Sequence, residues 1–449
     1  MSDDDAFMYD SDAGSFDFGG SDDEMGSQAG SDFGEMDTEN KFYAAQNLAE
    51  DEPADALELY RDIVAAEPSS SWGQQAATAL VSLTYKLGRL DECADALTQL
   101  LGFLEFVETR AACEKSLETQ LDALGTSRDV AFLGRVYNTA LKHLKSIRHD
   151  RLWLRTMIRQ SRWLLDGKDY DKLKEQLPQL LKFLNDSSNS LDDQRRGTAL
   201  VEAYSIEMQL QWANAEYTLL KETYKRVSSV RAAMPPPKVV GAIKEYAGKM
   251  HMKDKRWMDA KTAFFESFKH YEETGDMQRF QVLKYLVLAS MLSNSVIDPF
   301  DSQETKPYKD HPEIQAMTQM VASYQRHDVE NFRQILNKNK RSILGDDFIA
   351  GYVNAVMSGI RAMSISKIIR PYTRIQLDYL AKRVETTPED VEKLVAGLIL
   401  DSKTHGRIDQ VERQLDLSGG TLSDQRFKAL ASWAKNVDSV FNATMAALS

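Results

Sequence analysis

The sequence predicts an all-α fold: a helical-repeat solenoid followed by a winged-helix module and one long C-terminal helix. Three observations carry this. From Lys41 onward apolar residues recur three and four apart, the period of a helix buried on one face. Breaks in that pattern recur about every forty residues, the length of an antiparallel helix pair that buries its apolar stripe only against neighbouring pairs. Between residues 371 and 415 the pattern changes, two short helices giving way to a turn and a strand.

Residues 1–40 stand apart. The chain has 449 residues with 55 Lys and Arg against 68 Asp and Glu, a net charge of −13, and 13 of the acids but none of the bases lie in this stretch. The rest of the chain is therefore neutral, which argues against nucleic-acid binding by the protein as a whole. Six Gly and six Ser complete a composition that cannot bury enough apolar area to offset ordering entropy, so a disordered tail is expected. Phe7, Met8, Tyr9, Phe16, Phe18 and Phe33 punctuate it. The tail is then either a solubilising extension or a docking segment for a basic, apolar partner surface.

Residues 41–300 read as a helical-repeat arm. Between Asp55 and Val64 small and apolar residues form one stripe, and Pro68 follows where the helix should stop. Leu83, Tyr85 and Leu87 lead into a helix-turn-helix joint at Gly88-Arg89-Leu90-Asp91, and comparable breaks follow at Gly125-Thr126, Asp166-Gly167-Lys168, Trp212-Ala213-Asn214, Lys253-Asp254-Lys255 and Ser293-Asn294. Taken at residues 88, 125, 167, 213, 254 and 293, they lie 37, 42, 46, 41 and 39 apart. The segment from Trp257 to Phe268 looks like the second helix of a tetratricopeptide-like repeat: Ala260 and Ala263 admit a neighbouring helix while Phe264 and Phe268 fill the interface. Pro235-Pro236-Pro237 marks an extended joint.

Two basic clusters stand out on the arm. Lys142, Lys145, Arg148, Arg151, Arg155, Arg159 and Arg162 follow one another by three or four residues, with Asp150 the only acid among them, so the cations stack along one helical face. With a joint at His149-Asp150 the stripe spans two adjacent helices. It is either an ordinary solvated face or a landing surface that steers an acidic partner and sets its register. Lys249, His251, Lys253, Lys255 and Arg256 form a second cluster at a turn, which could hold a small polyanion such as a phosphate.

Residues 301–415 form a further domain. A polar connection from Ser302 to Pro312 precedes helical pattern to about Ile369, which Pro371 ends. Ile375, Leu377, Leu380 and Val384 suggest a short helix. A second begins at Thr387-Pro388-Glu389-Asp390, with Thr387 as N-cap, Pro388 at the first helical position and two acids where the helix dipole favours them. Val391, Leu394, Val395, Leu398 and Ile399 line its inner face. His405-Gly406-Arg407-Ile408-Asp409-Gln410-Val411 then reads as a turn into a short strand, giving a winged helix over residues 371–415. Its second helix carries Glu389, Asp390, Glu392 and Asp401 against Lys393, which would repel phosphates, so the module reads as a protein-protein element. Across 421–449, Phe427, Leu430, Ala434, Val437, Phe441, Met445 and Leu448 make a near-heptad stripe, the mark of an assembly helix that bundles with other helices or docks on its own domain.

Catalytic signatures are missing from the sequence: there is no phosphate-binding loop, nucleophile elbow, H-E-x-x-H or dinucleotide fingerprint, and the seven histidines contain no H-x-H pair. No metal or other cofactor is expected. The two cysteines, Cys93 and Cys113, suit a reducing compartment and read as small core residues. The start Met1-Ser2-Asp3-Asp4-Asp5 is unlike a secretory signal, and the longest apolar run, Tyr285 to Leu292, is too short to cross a bilayer.

A repeat arm running into a winged helix and a terminal helix resembles the PCI-domain family, shared by subunits of the proteasome lid, the COP-nine signalosome and translation initiation factor three. Within it, Ile297-Asp298-Pro299-Phe300-Asp301-Ser302-Gln303-Glu304-Thr305-Lys306-Pro307-Tyr308-Lys309, Lys284 to Ala289, Pro371-Tyr372-Thr373-Arg374-Ile375, the 405–411 string and Asp150-Arg151-Leu152-Trp153 are similar to the signalosome's second-subunit branch. The resemblance implies a non-catalytic scaffold subunit, in nucleus and cytoplasm, of a complex that removes a Nedd-type modifier from cullin-RING ubiquitin ligases. Another subunit would carry the zinc isopeptidase. The implied partners are that isopeptidase, other PCI-domain subunits, and a cullin with its RING protein gripped by the N-terminal arm; neither membrane nor nucleic acid is expected. Two alternatives stay open: a proteasome-lid subunit and a winged-helix regulator that binds nucleic acid.

Overall fold

The computed structural model describes residues 32–106, 110–127, 129–186, 192–230, 233–295, 298–340, 343, 345–401, 404, 406–417 and 422–448. The first 31 residues of the acidic segment, and His405, lie outside them. Two compact units divide at Thr156 and Met157.

The first unit begins with α1 (Asp32–Asp51), α2 (Pro53–Ala66), α3 (Ser71–Lys86) and α4 (Leu90–Gly102) and continues through α5 (Arg110–Leu124), α6 (Val130–Ser146) and the start of α7 (Asp150–Asp166). The expected tail therefore ends too late: residues 32–40 belong to α1. Thr38 and Ala45 are buried, and the Phe42 ring packs 5.8 Å from Tyr60 and 5.6 Å from Trp72, contacts that stabilise a helix which average composition alone would not support. Caps set the helix starts: the Ser70 hydroxyl accepts from Gly73 N at 3.1 Å, and the Asp129 carboxylate accepts from Ala131 N and Phe132 N. Cys93 and Cys113 are both buried, and burial raises both thiol pKa values, Cys113 to about 12.

The second unit carries α8 (Tyr170–Asn185), α9 (Asp193–Ala213), α10 (Tyr217–Ser229), α11 (Pro237–Lys253), α12 (Trp257–Thr274), α13 (Gln278–Leu292), α14 (Pro312–Arg326), α15 (Val329–Lys338) and α16 (Asp347–Ile369). Ala260, Ala263, Phe264 and Phe268 of α12 are buried as the repeat pattern predicts, and Pro237 opens α11 after an extended Pro236. The connection after α13 is less polar in its packing than in its composition. Phe300 is 2% exposed, and the buried Thr305 hydroxyl donates to Pro299 O at 2.7 Å.

The winged helix follows: β1 (Arg374–Gln376), α17 (Leu377–Val384), α18 (Pro388–Leu400), β2 (Arg407–Asp409) and β3 (Gln414–Asp416). β3 lies between the other two, antiparallel to both, with Leu415 opposite Ile375 and Ile408. Ile375 is thus a strand residue, not part of the first helix, because residues 374–376 find their hydrogen-bond partners forty residues downstream. Thr387 caps α18 as expected, accepting from Asp390 N at 3.3 Å. One apolar core runs from Met252 through α13 and α16 to Leu415, joining the last repeats to the winged helix. Helix α16 is long and apolar enough to cross a membrane by length and composition, but Ile349, Val353, Val356, Ile360, Ile365 and Ile369 spend that apolar character inside this core. The chain's last helix is α19 (Leu422–Leu448).

Seven of the inter-helix joints share one geometry. At Gly88, Arg148, Lys168, Ala215, Lys255, Asn294 and His327 the backbone turns left-handed, with φ between 51° and 73°. In each the next amide donates five residues back, as from Arg89 to Thr84, Asp169 to Leu164, Glu216 to Gln211 and Arg256 to His251. This Schellman closure satisfies the last carbonyls of the preceding helix. Among the breaks marked in the sequence, the turn at Gly125 departs from it, with short-range bonds back to Leu121, Ala123 and Leu124.

Candidate partner-binding site

The basic stripe is built on the α6–α7 joint. Phe132, Leu133, Val136, Tyr137, Ala140 and Leu144 bury one face of α6, which places Lys142 and Lys145 on the opposite face. His149 fixes the joint itself. Its Nδ1 accepts from Leu152 N at 3.3 Å, capping α7, so the proton sits on Nε2, which lies 2.5 Å from Glu114 Oε1 of α5. Arg148 and Arg151 flank this buried imidazole in the chain. Lys142, Lys145, Arg148 and Arg151 are exposed and have no ion-pair partner among the described residues. Arg155, also in the first unit, pairs with Glu118.

In the second unit Arg159 is half-buried, and Arg162 is exposed and pairs with Glu202 at 3.3 Å. The seven residues therefore differ: four are bare cations, and at least two are partly neutralised by an acid.

The second basic cluster separates in space. Lys249 turns inward, 7% exposed, its Nζ 2.7 Å from Glu245 and over the rings of Tyr246 at 4.5 Å and Tyr285 at 5.1 Å. It cannot meet a surface polyanion together with the others. His251 is half-buried against Tyr224, and burial lowers its pKa, Arg256 adding to the shift. Arg256 is engaged by Asp254 and Asp259. Lys253 and Lys255 alone remain as exposed cations without an ion-pair partner among the described residues.

The third candidate is α19. Phe427, Leu430, Val437, Phe441 and Met445 are between 48% and 69% exposed, and Trp433 and Val440, which the heptad reading passed over, join them at 67% and 62%. Steps of three and four from Leu430 through Trp433 and Val437 to Val440 put both additions on the same side as the stripe.

Over residues 336–418 the chain matches the PCI domain family. It is 37% identical over 408 residues to COP9 signalosome complex subunit 2 of Drosophila melanogaster, covering 90% of this chain and 92% of that protein. The chain belongs to the COP9 signalosome subunit 2 family. Members of that family from Schizosaccharomyces pombe and Dictyostelium discoideum are 37% and 35% identical, over 85% and 97% of this chain and 88% and 97% of their own lengths. The likeness to 26S proteasome non-ATPase regulatory subunit 11 of Dictyostelium discoideum is weaker, 23% identity over 373 residues, 79% of this chain and 86% of that protein. The family's PCI domain takes in α16, the three-stranded sheet and α18, on which Glu389 and Asp390 are exposed and Glu392 is half-buried.

Proposed function

We propose that this chain is a non-catalytic scaffold subunit of a COP9 signalosome, resident in nucleus and cytoplasm. The complex deneddylates cullin-RING ubiquitin ligases through an isopeptidase on another chain. The observation that carries the reading is α19: 27 residues long, with seven large apolar side chains at least 48% exposed. Such a stripe on a soluble surface calls for partner helices. The PCI domain joins other PCI-domain subunits, and α19 enters a helical bundle with them. The arm receives the cullin and its RING protein, with Lys142, Lys145, Arg148 and Arg151 facing an acidic surface on that partner. Charges of this kind steer the encounter and set its orientation more than they add affinity.

Two sets of substitutions separate the roles. Phe427→Asp with Val437→Asp and Phe441→Asp should abolish co-purification of the other subunits. Reversal of the four bare cations to Glu should leave assembly intact and slow association with a neddylated cullin-RING ligase about ten-fold or more at low salt. An unchanged on-rate would reject the stripe as the docking surface, and normal assembly of the α19 variant would reject the bundle.

A further inference from the structure

The second unit contains an aromatic trough that the proposed assembly role does not use. It has a volume of about 570 Å³, within the range of ligand sites. Its walls are rings: Trp212 and Tyr217 from the α9–α10 turn, Trp257 at the start of α12, and Phe348 and Tyr352 on the first turns of α16. They brace one another edge-on, with centroids 5.5 Å apart for Trp212 and Tyr217, 5.9 Å for Trp212 and Phe348, and 6.1 Å for Trp257 and Tyr352. Along the floor, Gly351 and Ala355 lie one helical turn apart on α16, both exposed, and a Cβ built on Gly351 would meet nothing within 4 Å. The floor is thus a smooth channel along a helix, the shape that admits an extended chain.

Charge selects the occupant. Lys253 and Lys255 line the trough as bare cations, Lys253 lying 5.0 Å over the Tyr217 ring and Lys255 standing in the left-handed turn that follows α11. Asp347 is the single acid in the lining. Two lysines against one aspartate are too few for a phosphate backbone, and rings braced edge-on against each other offer less free face for base stacking. We propose that this trough is a docking site for an acidic linear peptide that carries an aromatic anchor, the anchor seated between Trp212, Trp257 and Tyr352 and the flanking carboxylates on Lys253 and Lys255. The site is separate from the cullin-facing stripe and from α19.

The test uses the full-length chain and a fluorescently labelled Asp-Asp-Phe-Phe-Asp-Asp peptide read by anisotropy. Saturable binding is expected, weakened at least about ten-fold by Gly351→Leu, which fills the floor, and by Lys253→Glu with Lys255→Glu, which reverses the rim. Gly351→Leu replaces an exposed helical glycine with a better helix former, and its melting curve reports whether the fold is intact. The paired Lys substitutions give an independent reading if it is not. No binding, equal binding of an Asp-Asp-Ala-Ala-Asp-Asp peptide, or binding indifferent to both variants would overturn the proposal. Tighter binding of a labelled oligothymidine would overturn it in favour of single-stranded nucleic acid. Subunit co-purification and the cullin on-rate should not change in the paired Lys253→Glu, Lys255→Glu variant, whose positions lie outside the PCI domain, so this result stands or falls apart from the assembly reading.

Discussion

The Lys249 ammonium lies 2.7 Å from the Glu245 carboxylate, one turn away on α11, with the two side chains only 8% and 10% exposed. Glu245 also accepts from the Tyr271 hydroxyl at 3.1 Å. Removing one member strands the other charge in an apolar setting, which costs roughly 3–5 kcal/mol, whereas replacing both with apolar residues of similar volume is close to neutral. Glu245→Leu and Lys249→Met should each be strongly destabilising and the double variant less so than either. Urea unfolding followed by tryptophan fluorescence measures this, since Trp212 lies 5.9 Å from the Lys249 ammonium. Additive losses would show that the two charges are not coupled.

Two glycines of α11 set how closely α12 approaches. A Cβ on Gly248 would lie 2.6 Å from the Phe264 ring, and one on Gly241 would lie 3.1 Å from Tyr271. Alanine gains about 1 kcal/mol of helix propensity at either position, while overpacking costs about 1–3 kcal/mol. Gly248→Ala should therefore lower the melting temperature, and Gly241→Ala, with its longer contact, should do so less or not at all. A higher melting temperature for Gly248→Ala would contradict the packing described.

The left-handed joints predict a gain. Lys168 is exposed with φ 61°, a conformation that costs an L-residue roughly 1–2 kcal/mol, against about 0.5–1 kcal/mol for the greater freedom a glycine loses on folding. Lys168→Gly should stabilise by up to about 1 kcal/mol, and Lys168→Val should destabilise, both readable as shifts in the urea midpoint.

Burial lowers the pKa values of His251 and His327 below the usual 6.5, assisted by Arg256 and Lys367 respectively. The unfolded chain then binds more protons than the folded one in this range, so stability from these groups is present above pH 6.5 and lost as pH falls through the lowered folded values. Unfolding midpoints measured between pH 7.5 and pH 5 should fall, and the slope should flatten in a His251→Phe, His327→Phe variant. A slope unchanged by the double replacement would assign it to other groups.

What was legible in the sequence was whatever is local. The joints at residues 88, 167, 213, 254 and 293 could be located although Gly, Lys, Ala and Asn occupy their left-handed positions, because helix periodicity stops on either side. The Thr387-Pro388 cap was readable for the same reason. What escaped depends on residues far apart in the chain. Strand β1 is three residues long and exists through pairing with residues 414–416. Lys249 read as a surface cation beside Lys253 and Arg256, but Tyr285 and Phe348, which help to enclose it, arrive from α13 and α16. Of the stripe, spacing alone could place the cations on a face, but could not show that Glu118 and Glu202 engage Arg155 and Arg162.

The exposure along α19 has a cost for any copy that lacks its neighbours. Seven half-bare hydrophobes on one 27-residue helix make an orphan chain adhesive toward its own kind and toward quality-control machinery that samples apolar surface. On the proposed reading, synthesis in excess of the helices that cover α19 would yield aggregates or rapid turnover in place of a reserve, and supply of the chain would follow the stoichiometry of those partners.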